Sequence, residues 1–293
     1  FHDDQHGTAI TVAAAMVNAL TVAGKKIEEV TLVASGAGAA ALACLNLLLV
    51  LGLKRENVFV TDLAGVVYEG RAELMDEDKA QFAQKTELRT LAQVIEGADA
   101  FLGLSAGNVL KKEMVATMAA KPIIFALANP TPEILPEDVK AVRSDAIIAT
   151  GRTDYPNQVN NVLCFPYIFR GALDCGATTI TKEREVAAVH AIADLAKAEQ
   201  SEEVAAAYIG HTLSFGPEYL IPKPFDPRLM LIVAPAVAQA AAECGVAQRP
   251  IADMAAYREQ LKTFVYASGT MMKPIVMAAK KATKKRVAFA EGE

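Results

Sequence analysis

Ionisable side chains are concentrated in the first seven residues of the chain. The carboxylates Asp3 and Asp4 stand between two imidazoles, His2 and His6, just before an apolar helical run. Charged groups beside an apolar element are costly unless they meet a cation, a substrate or one another. The two aspartates point in different directions in any regular structure, so one is a candidate metal ligand and the other a candidate partner of a proton-transfer group. Carboxylates favour a hard cation with oxygen ligands, and we therefore interpret the imidazoles as hydrogen-bond partners.

A helix cap is an equally good interpretation of this segment. Thr8 or one of the two aspartates could satisfy the free N–H groups at the start of the helix that follows. The composition of the segment leaves both interpretations open, since capping and metal binding use the same side chains.

Polar side chains also follow two predicted strands later in the chain. The buried run 122–128 ends at Asn129, and the run 146–149 is followed by a loop, residues 150–161, that is rich in asparagine and charged residues. Ligands of parallel α/β sheets gather at the carboxyl ends of strands, so Asn129 is placed to offer its amide to a substrate or a nicotinamide. Asn129 could also simply start a turn before Pro130. The loop suits a small polar ligand, because no apolar periodicity explains its composition.

A glycine pattern, Gly36, Gly38 and Ala41, fits the spacing G-x-G-x-x-G/A. It lies between a β-branched apolar run at 30–34 and a helix-forming run at 39–51, the order of a dinucleotide-binding βαβ unit. Gly36 permits the turn, Gly38 lets a pyrophosphate approach the backbone, and Ala41 lets the helix pack on the strand. The phosphates would bind at the helix N-terminus. A glycine turn in an ordinary α/β core is the alternative.

The residues expected at the adenosine end give conflicting signals on the cofactor. A second buried strand at 58–61 ends at Asp62, the acidic position that bonds an adenosine ribose and favours a free 2′-hydroxyl. Arg71 follows in an extended segment and could pair with a 2′-phosphate, or be a surface charge on a loop. Ser105 follows a third predicted strand at 100–104, where small residues let a cofactor lie close to the backbone.

These runs predict an α/β fold, a Rossmann-type doubly wound, mostly parallel sheet with a C-terminal helical extension. Short helices are predicted between the strands at 88–97 and 111–120. Alanine-rich helical runs follow at 183–198, 201–208, 229–244 and 251–264. We expect the later helices to wrap back on the catalytic face or to form an oligomer contact.

Composition argues against several classes of function. The net charge is −5 and no basic run lies among aromatic residues, so we expect no nucleic-acid partner. The longest apolar run, residues 39–50, is shorter than the roughly 20 residues that a bilayer needs, so we expect no membrane span. The four cysteines lack C-x-x-C spacing, which favours reduced thiols in a cytoplasmic protein.

Four stretches, taken together and in order, resemble the malic enzymes: residues 1–9, 36–40, 125–130 and 150–161. Residues 219–228 and 286–293 are similar to the large bacterial form, in which a phosphate acetyltransferase-like domain follows. The resemblance implies the end of a malic N-terminal catalytic region at 1–20, an NAD(P)-binding Rossmann domain at 21–180 and a helical C-terminal extension at 181–270. Residues 271–293 would be a linker and the first strand of the appended domain. We expect the chain to be cut from a longer protein at both ends.

The resemblance also implies roles for individual residues. Asp4 matches the aspartate that binds a divalent metal, Mg²⁺ or Mn²⁺, and Asp3 matches the one that supports a proton-transfer lysine. Asn129 and Asn161 match the asparagines that hold malate near the nicotinamide. The pyrophosphate loop matches Gly36, Ala37, Gly38, Ala39 and Ala40.

The implied reaction is oxidative decarboxylation of malate to pyruvate and carbon dioxide, with reduction of NADP or NAD, in a homo-oligomer. The large bacterial form usually prefers NADP. The family's catalytic tyrosine, lysine and an acidic pair of metal ligands lie upstream of the first motif, so we expect this chain alone to be inactive. A dinucleotide-binding regulatory module without redox activity is the alternative. Another amino- or hydroxy-acid dehydrogenase is disfavoured by the pair Asp3 and Asp4.

Overall fold

A computed structural model of the protein describes residues 1–199, 214–224 and 226–266. The chain divides into two units, Phe1–Pro250 and Ile251–Glu293. The helix predicted at 201–208 and the linker and strand predicted at 271–293 lie outside the described residues. The domain boundaries at residues 20, 180 and 270 stay predictions.

Short parallel strands form the sheet of the first unit. The described strands are β1 Leu32–Ser35, β2 Val58–Asp62, β3 Gly65–Val66, β4 Ala100–Gly103, β5 Ile123–Ala126 and β6 Ile147–Thr150. Their order is β3-β2-β1-β4-β5-β6, with β3 antiparallel to β2 and the other neighbours parallel. The order reverses between β1 and β4, and doubly wound sheets bind ligands in the crevice at such a point. The predicted fold class is confirmed, and the predicted strands lie within two residues of the observed ones.

Helices cover both faces of this sheet. The described helices are α1 Thr8–Ala23, α2 Ala39–Val50, α3 Glu77–Ala80, α4 Leu91–Val94, α5 Lys112–Ala116, α6 Pro136–Val142, α7 Phe165–Asp174, α8 Lys182–Lys197, α9 Arg228–Glu243 and α10 Met254–Val265. The helix α10 belongs to the second unit. Its N-cap is Asp253, whose carboxylate accepts hydrogen bonds from the N–H groups of Ala255 and Ala256.

Two predicted helices are shorter than their apolar periodicity suggests. The helix predicted at 88–97 is only the single turn α4, because Thr90 and Gln93 form a capping box that fixes its start. It ends before Gly97, whose positive φ of 72° stops a helix. The helix predicted at 111–120 is reduced to the five residues of α5.

The strands are buried on both faces, which explains their continuous apolar sequence. Val33, Phe101 and Ile124 are register neighbours and belong to a core on one face. Leu102 and Phe125 belong to a larger core on the opposite face, which also includes residues of α1, α2, α8 and α9. The sheet is therefore a rigid base for the loops at its carboxyl edge.

One continuous helical segment, Asp3–Ala23, is long and apolar enough to cross a membrane by length and composition, but 72% of its apolar window is buried inside the protein. It includes α1, which packs against α2 and α8. The buried amide of Asn18 donates to the carbonyls of Ala193 and Leu220, both at 2.8 Å. Burial at the centre of the fold accounts for its apolar sequence.

Helices α7 and α9 cross at Gly171. A Cβ atom at this position would lie 2.3 Å from the backbone oxygen of Ala234. We expect Gly171→Ala to destabilise the first unit by about 1–3 kcal/mol, because the two helices must move apart. Urea unfolding would measure the change.

Gly216→Ala is the matched control for this prediction. The nearest atom to a Cβ at Gly216 is the oxygen of Ser214, at 3.9 Å. We expect this substitution to change the free energy of unfolding by less than about 0.5 kcal/mol. Equal midpoints for both variants would show that α7 and α9 do not need glycine at their crossing.

Candidate functional site

The turn between β1 and α2 requires glycine at its first position. Gly36 has a φ of 104°, and a Cβ atom there would lie 2.4 Å from the carbonyl oxygen of Leu104. Gly38 is the N-cap of α2, and a Cβ atom there would meet nothing within 4 Å. Ala41 lies in the first turn of α2, on the buried face of the helix. The N-terminal N–H groups of α2 therefore face open space where phosphates could bind.

A cavity of about 500 Å³ opens beside this turn. Its lining includes the turn residues Gly36 and Ala37, Asp62 at the end of β2, and Ser105 after β4. These are predicted cofactor-binding residues, and the fold brings them to one crevice between β1 and β4. A largely apolar cleft at the strand ends can receive a dinucleotide, with the adenosine end at Asp62.

Asp62 and Arg71, whose signals conflict in the sequence, bind each other. The Arg71 guanidinium donates to both carboxylate oxygens of Asp62, at 2.8 and 2.6 Å. Lys79 donates to the same carboxylate at 3.0 Å, and so does the N–H group of Ala64 at 2.9 Å. The Arg71 side chain is only 3% exposed, so it is not a surface charge. The carboxylate already has four donors, and a ribose hydroxyl would compete with them.

This cluster sets the protonation of Asp62. Burial raises the pKa of Asp62, but hydrogen bonds from Arg71, Lys79 and Ala64 outweigh burial and hold it below its ordinary value. A carboxyl with a lowered folded-state pKa contributes stability above its unfolded pKa of about 4, and this contribution is lost as the pH falls through the folded value.

We therefore expect the stability difference between the wild-type protein and Asp62→Asn to be largest near neutral pH. It should shrink as the pH falls below the unfolded pKa of about 4, and disappear once the pH falls through the lower folded-state pKa, where the wild-type carboxyl is protonated and loses its ion pairs. Urea midpoints measured for both proteins at a series of pH values would test this. A difference that does not depend on pH would show that the charge of Asp62 contributes nothing to folding.

Asn129 lines a second, polar cavity at the ends of β5 and β6. This cavity has a volume of about 590 Å³, and its lining includes Arg152, Asp154, Gln158 and Asn160. Arg152 forms a bidentate ion pair with Asp154, with distances of 2.8 and 2.6 Å. The cavity offers amide and guanidinium donors to a small polar ligand, as the loop composition predicted.

Asp3 meets Asn161 at the edge of this loop. The Asn161 amide donates a hydrogen bond to one carboxylate oxygen of Asp3, although 158 positions separate the two residues. The other oxygen, Oδ1, is buried and has no partner in the described ranges. Burial is the main cause that raises the pKa of Asp3, and the charge of Asp4 adds to it. Asn161 directly follows Asn160, which lines the polar cavity, so this hydrogen bond ties the N-terminal segment to the end of the loop.

The remaining N-terminal side chains are held locally. His6 accepts a hydrogen bond from the backbone N–H of His2 at 2.9 Å, and its ring stacks on Phe1. In the described chain, no side-chain hydrogen bond caps the turn Asp3–Gly7 or the start of α1. The capping interpretation of Thr8 and the aspartates therefore has no support in the structure.

Asp4 is exposed and supplies one carboxylate to a possible cation. Among the residues that the structure describes, no group of three histidine, cysteine or acidic side chains is placed to hold a metal ion. The described residues thus do not form a complete site for Mg²⁺ or Mn²⁺. Asp4 stays a predicted ligand, and a cation would need further ligands.

Sequence reasoning missed the contacts that three residues of this region make. Lys79 binds Asp62, Glu133 binds the chain segments that leave β4 and β5, and Asn157, one of the polar residues of the loop 150–161, anchors that loop. The Asn157 amide donates to the carbonyls of Ile148 and Pro217, at 2.9 and 2.7 Å. Its φ of 55° is a conformation that asparagine tolerates, so its residue type was the available signal for a turn at this position.

The fold and the glycine turn define a dinucleotide-binding domain with a polar cavity beside the cofactor crevice. The family described as "Malic enzyme, NAD binding domain" matches residues 5–208. The chain therefore belongs to the malic enzyme family.

Relatives and solved structures agree with this assignment. An NAD-dependent malic enzyme of Rhizobium meliloti (strain 1021) is 65% identical over 293 residues, which are 100% of this chain and 38% of that protein. An NADP-dependent malic enzyme of Escherichia coli (strain K12) is 62% identical, over 100% of this chain and 39% of that protein. The structure of a malic enzyme from Pyrococcus horikoshii Ot3 matches with a TM-score of 0.80 and 36% identity, over 95% of this chain and 63% of that one. The chain thus spans less than two fifths of the length of these two relatives.

Proposed function

We propose that this chain is the cofactor-binding part, and one wall of the substrate site, of an enzyme that oxidatively decarboxylates malate to pyruvate and carbon dioxide. The observation that carries the proposal is the position of two cavities at the carboxyl ends of neighbouring strands. One is lined by the glycine turn, and the other by the amides of Asn129 and Asn160. The glycine turn would hold the dinucleotide and the polar cavity would hold malate, and the nicotinamide would supply the acceptor for the hydride of malate's hydroxyl-bearing carbon.

The polar cavity can bind a dicarboxylate through the amide groups of Asn129, Gln158 and Asn160. Arg152 is paired with Asp154 through Nε and Nη2, so only its remaining N–H groups are available to a ligand. The unpartnered oxygen of Asp3 leaves room for one more donor, such as the proton-transfer lysine that the resemblance implies. The divalent cation that the resemblance implies would need ligands besides Asp4.

We propose NADP as the preferred cofactor, although the relatives' names include both NAD and NADP. Asp62 would repel a 2′-phosphate if its charge were free. Here Arg71 and Lys79 surround it, and the three side chains together carry one positive charge. Lys79 also lines the cavity next to Gly38.

Malate-dependent reduction of NADP and NAD is the test of the proposed function. It should be measured with Mn²⁺ and with a chelator, on this chain and on a polypeptide extended to the length of its relatives. We expect turnover by the extended protein that the chelator abolishes. An extended protein that binds NADP but never reduces it with malate would contradict the proposal and leave a regulatory role.

We propose a cytoplasmic protein, and its four cysteines, which are free thiols, support this. We also propose that it forms homo-oligomers. The exposed apolar side chains of Leu173 and Ile232, at 68% and 41% exposure, support such contacts.

A further inference from the structure

Glu133 is a buried acidic residue behind the ends of β4 and β5. One oxygen of its carboxyl group accepts hydrogen bonds from the N–H group and the hydroxyl of Ser105, at 2.9 and 3.2 Å. The other accepts from the N–H group of Ala128 at 3.0 Å. Both oxygens act as acceptors, which is the pattern of a carboxylate. Its partners in the described part of the chain are two backbone N–H groups and one hydroxyl, without a cation.

The carboxylate lies where β4 and β5 separate. The last bond between these strands runs from the N–H of Leu127 to the carbonyl of Gly103, at 3.1 Å. Beyond it, the N–H groups of Ser105 and Ala128 point to Glu133 instead of to the neighbouring strand. A Cβ atom at Gly103 would lie 2.4 Å from the carboxyl carbon of Glu133, so the carboxylate rests directly on the backbone. Glu133 therefore fixes the directions in which both chains leave the sheet.

These two chains line the two cavities of the site. Ser105 lines the cofactor cavity, and Ala128 precedes Asn129 in the polar cavity. Because the Ser105 hydroxyl donates to a carboxylate, the hydroxyl of Ser35, 2.9 Å away, must donate to Ser105. The hydrogen-bond network that ends on the Glu133 carboxylate thus includes residues at the ends of β1, β4 and β5.

We propose that Glu133 is a positioning residue for the nicotinamide half of the dinucleotide. It holds Ser105 and Asn129 in the arrangement that receives this half, and it acts through them because its own side chain is 0% exposed. The inference rests on the proposed function, since it assumes a nicotinamide dinucleotide in the crevice. A glutamine at this position would turn its NH₂ group toward a backbone N–H, and two donors cannot bond each other.

The test is Glu133→Gln, with dissociation constants measured by titration calorimetry for NADP and for adenosine 2′,5′-bisphosphate. The bisphosphate reaches only the adenosine end, near Asp62 and Lys79. We expect the affinity for NADP to fall about tenfold, because one buried N–H loses its acceptor. We expect the affinity for the bisphosphate to change less than about threefold, because its contacts are distant from Glu133. Amide exchange of Ser105 and Ala128 in the ligand-free variant should be faster than in the wild-type protein.

Two further variants make the test decisive. Glu113→Gln is the matched control, since Glu113 is exposed on α5, and we expect it to leave both affinities unchanged. If Glu133→Gln does not fold, Glu133→Asp is the substitute, because it keeps the charge but moves it away from the N–H groups. It should also weaken NADP binding more than bisphosphate binding, by a smaller factor. Equal losses for the two ligands, or an unchanged affinity for NADP, would overturn the inference. A wild-type chain that does not bind NADP would contradict the proposed function instead.

Discussion

Arg71→Met will lower the free energy of unfolding of the first unit by about 3–5 kcal/mol, because it leaves Asp62 buried without its bidentate partner. The side chains of Arg71 and Asp62 are 3% and 10% exposed, so water cannot replace the lost bonds. The guanidinium also donates to the carbonyls of Gly65 and Val66, at 3.1 and 3.2 Å, which would lose this donor. The melting temperature should fall by roughly 10 °C, as circular dichroism would measure.

Two control variants test whether the loss of stability comes from the pair of Arg71 with Asp62 or from the removal of any arginine. Arg89→Met removes an exposed arginine that stacks on Tyr68, and should cost no more than about 1 kcal/mol. Combining Arg71→Met with Asp62→Asn should cost less than the sum of the two single losses, because the ion pair between these side chains can be lost only once. If the double variant is less stable than Arg71→Met by the full cost of Asp62→Asn, the two side chains are not coupled.

Lys79→Met will weaken the binding of NADP about tenfold or more, and change the affinity for NAD by less than about threefold. Arg71 already uses both ends of its guanidinium on Asp62. The ammonium of Lys79, in contrast, has three donors, of which one binds that carboxylate and one the carbonyl of Leu74, so the third is available. Lys79 is therefore the cation that can add a bond to a 2′-phosphate. Titration of the chain with each dinucleotide would measure both affinities.

Lys85→Met is the control for Lys79→Met. Lys85 is exposed and six positions further along the chain, so its removal changes the net charge equally without touching the cavity. We expect it to leave the ratio of the two affinities unchanged. Equal weakening of NADP and NAD by Lys79→Met would mean that Lys79 supports the cavity and does not select the phosphate.

Much of the fold could be predicted because its signals are local. The strands are short apolar runs bounded by glycine, and burial on both faces makes them continuous in sequence. The glycine turn was recognisable from its spacing. Its first position must be glycine, because a Cβ atom at Gly36 would collide with the backbone of Leu104. The single-turn helix α4 was overestimated, because apolar periodicity does not reveal where a capping box starts or where Gly97 ends a helix.

The contacts between side chains could not be predicted in the same way. Asp62 and Arg71 are nine positions apart, and only the antiparallel pairing of β3 with β2 brings them together. Sequence reasoning treated them as competing signals about the cofactor, whereas they neutralise each other. Glu133 lies four positions after Asn129, but its bonds to Ser105, 28 positions away, depend on how two strands separate.

The central position of α1 has a consequence for folding during synthesis. This helix is the first long apolar element of the described chain, yet the partners of Asn18 are Ala193 and Leu220. A ribosome adds roughly 5–20 residues each second, so these partners emerge roughly ten seconds or more after α1 has left the exit tunnel. Throughout that interval the face that later packs against α8 is exposed. The nascent chain must be kept from aggregating at this helix, and the first unit can complete its core only when about 200 further residues have been made after α1.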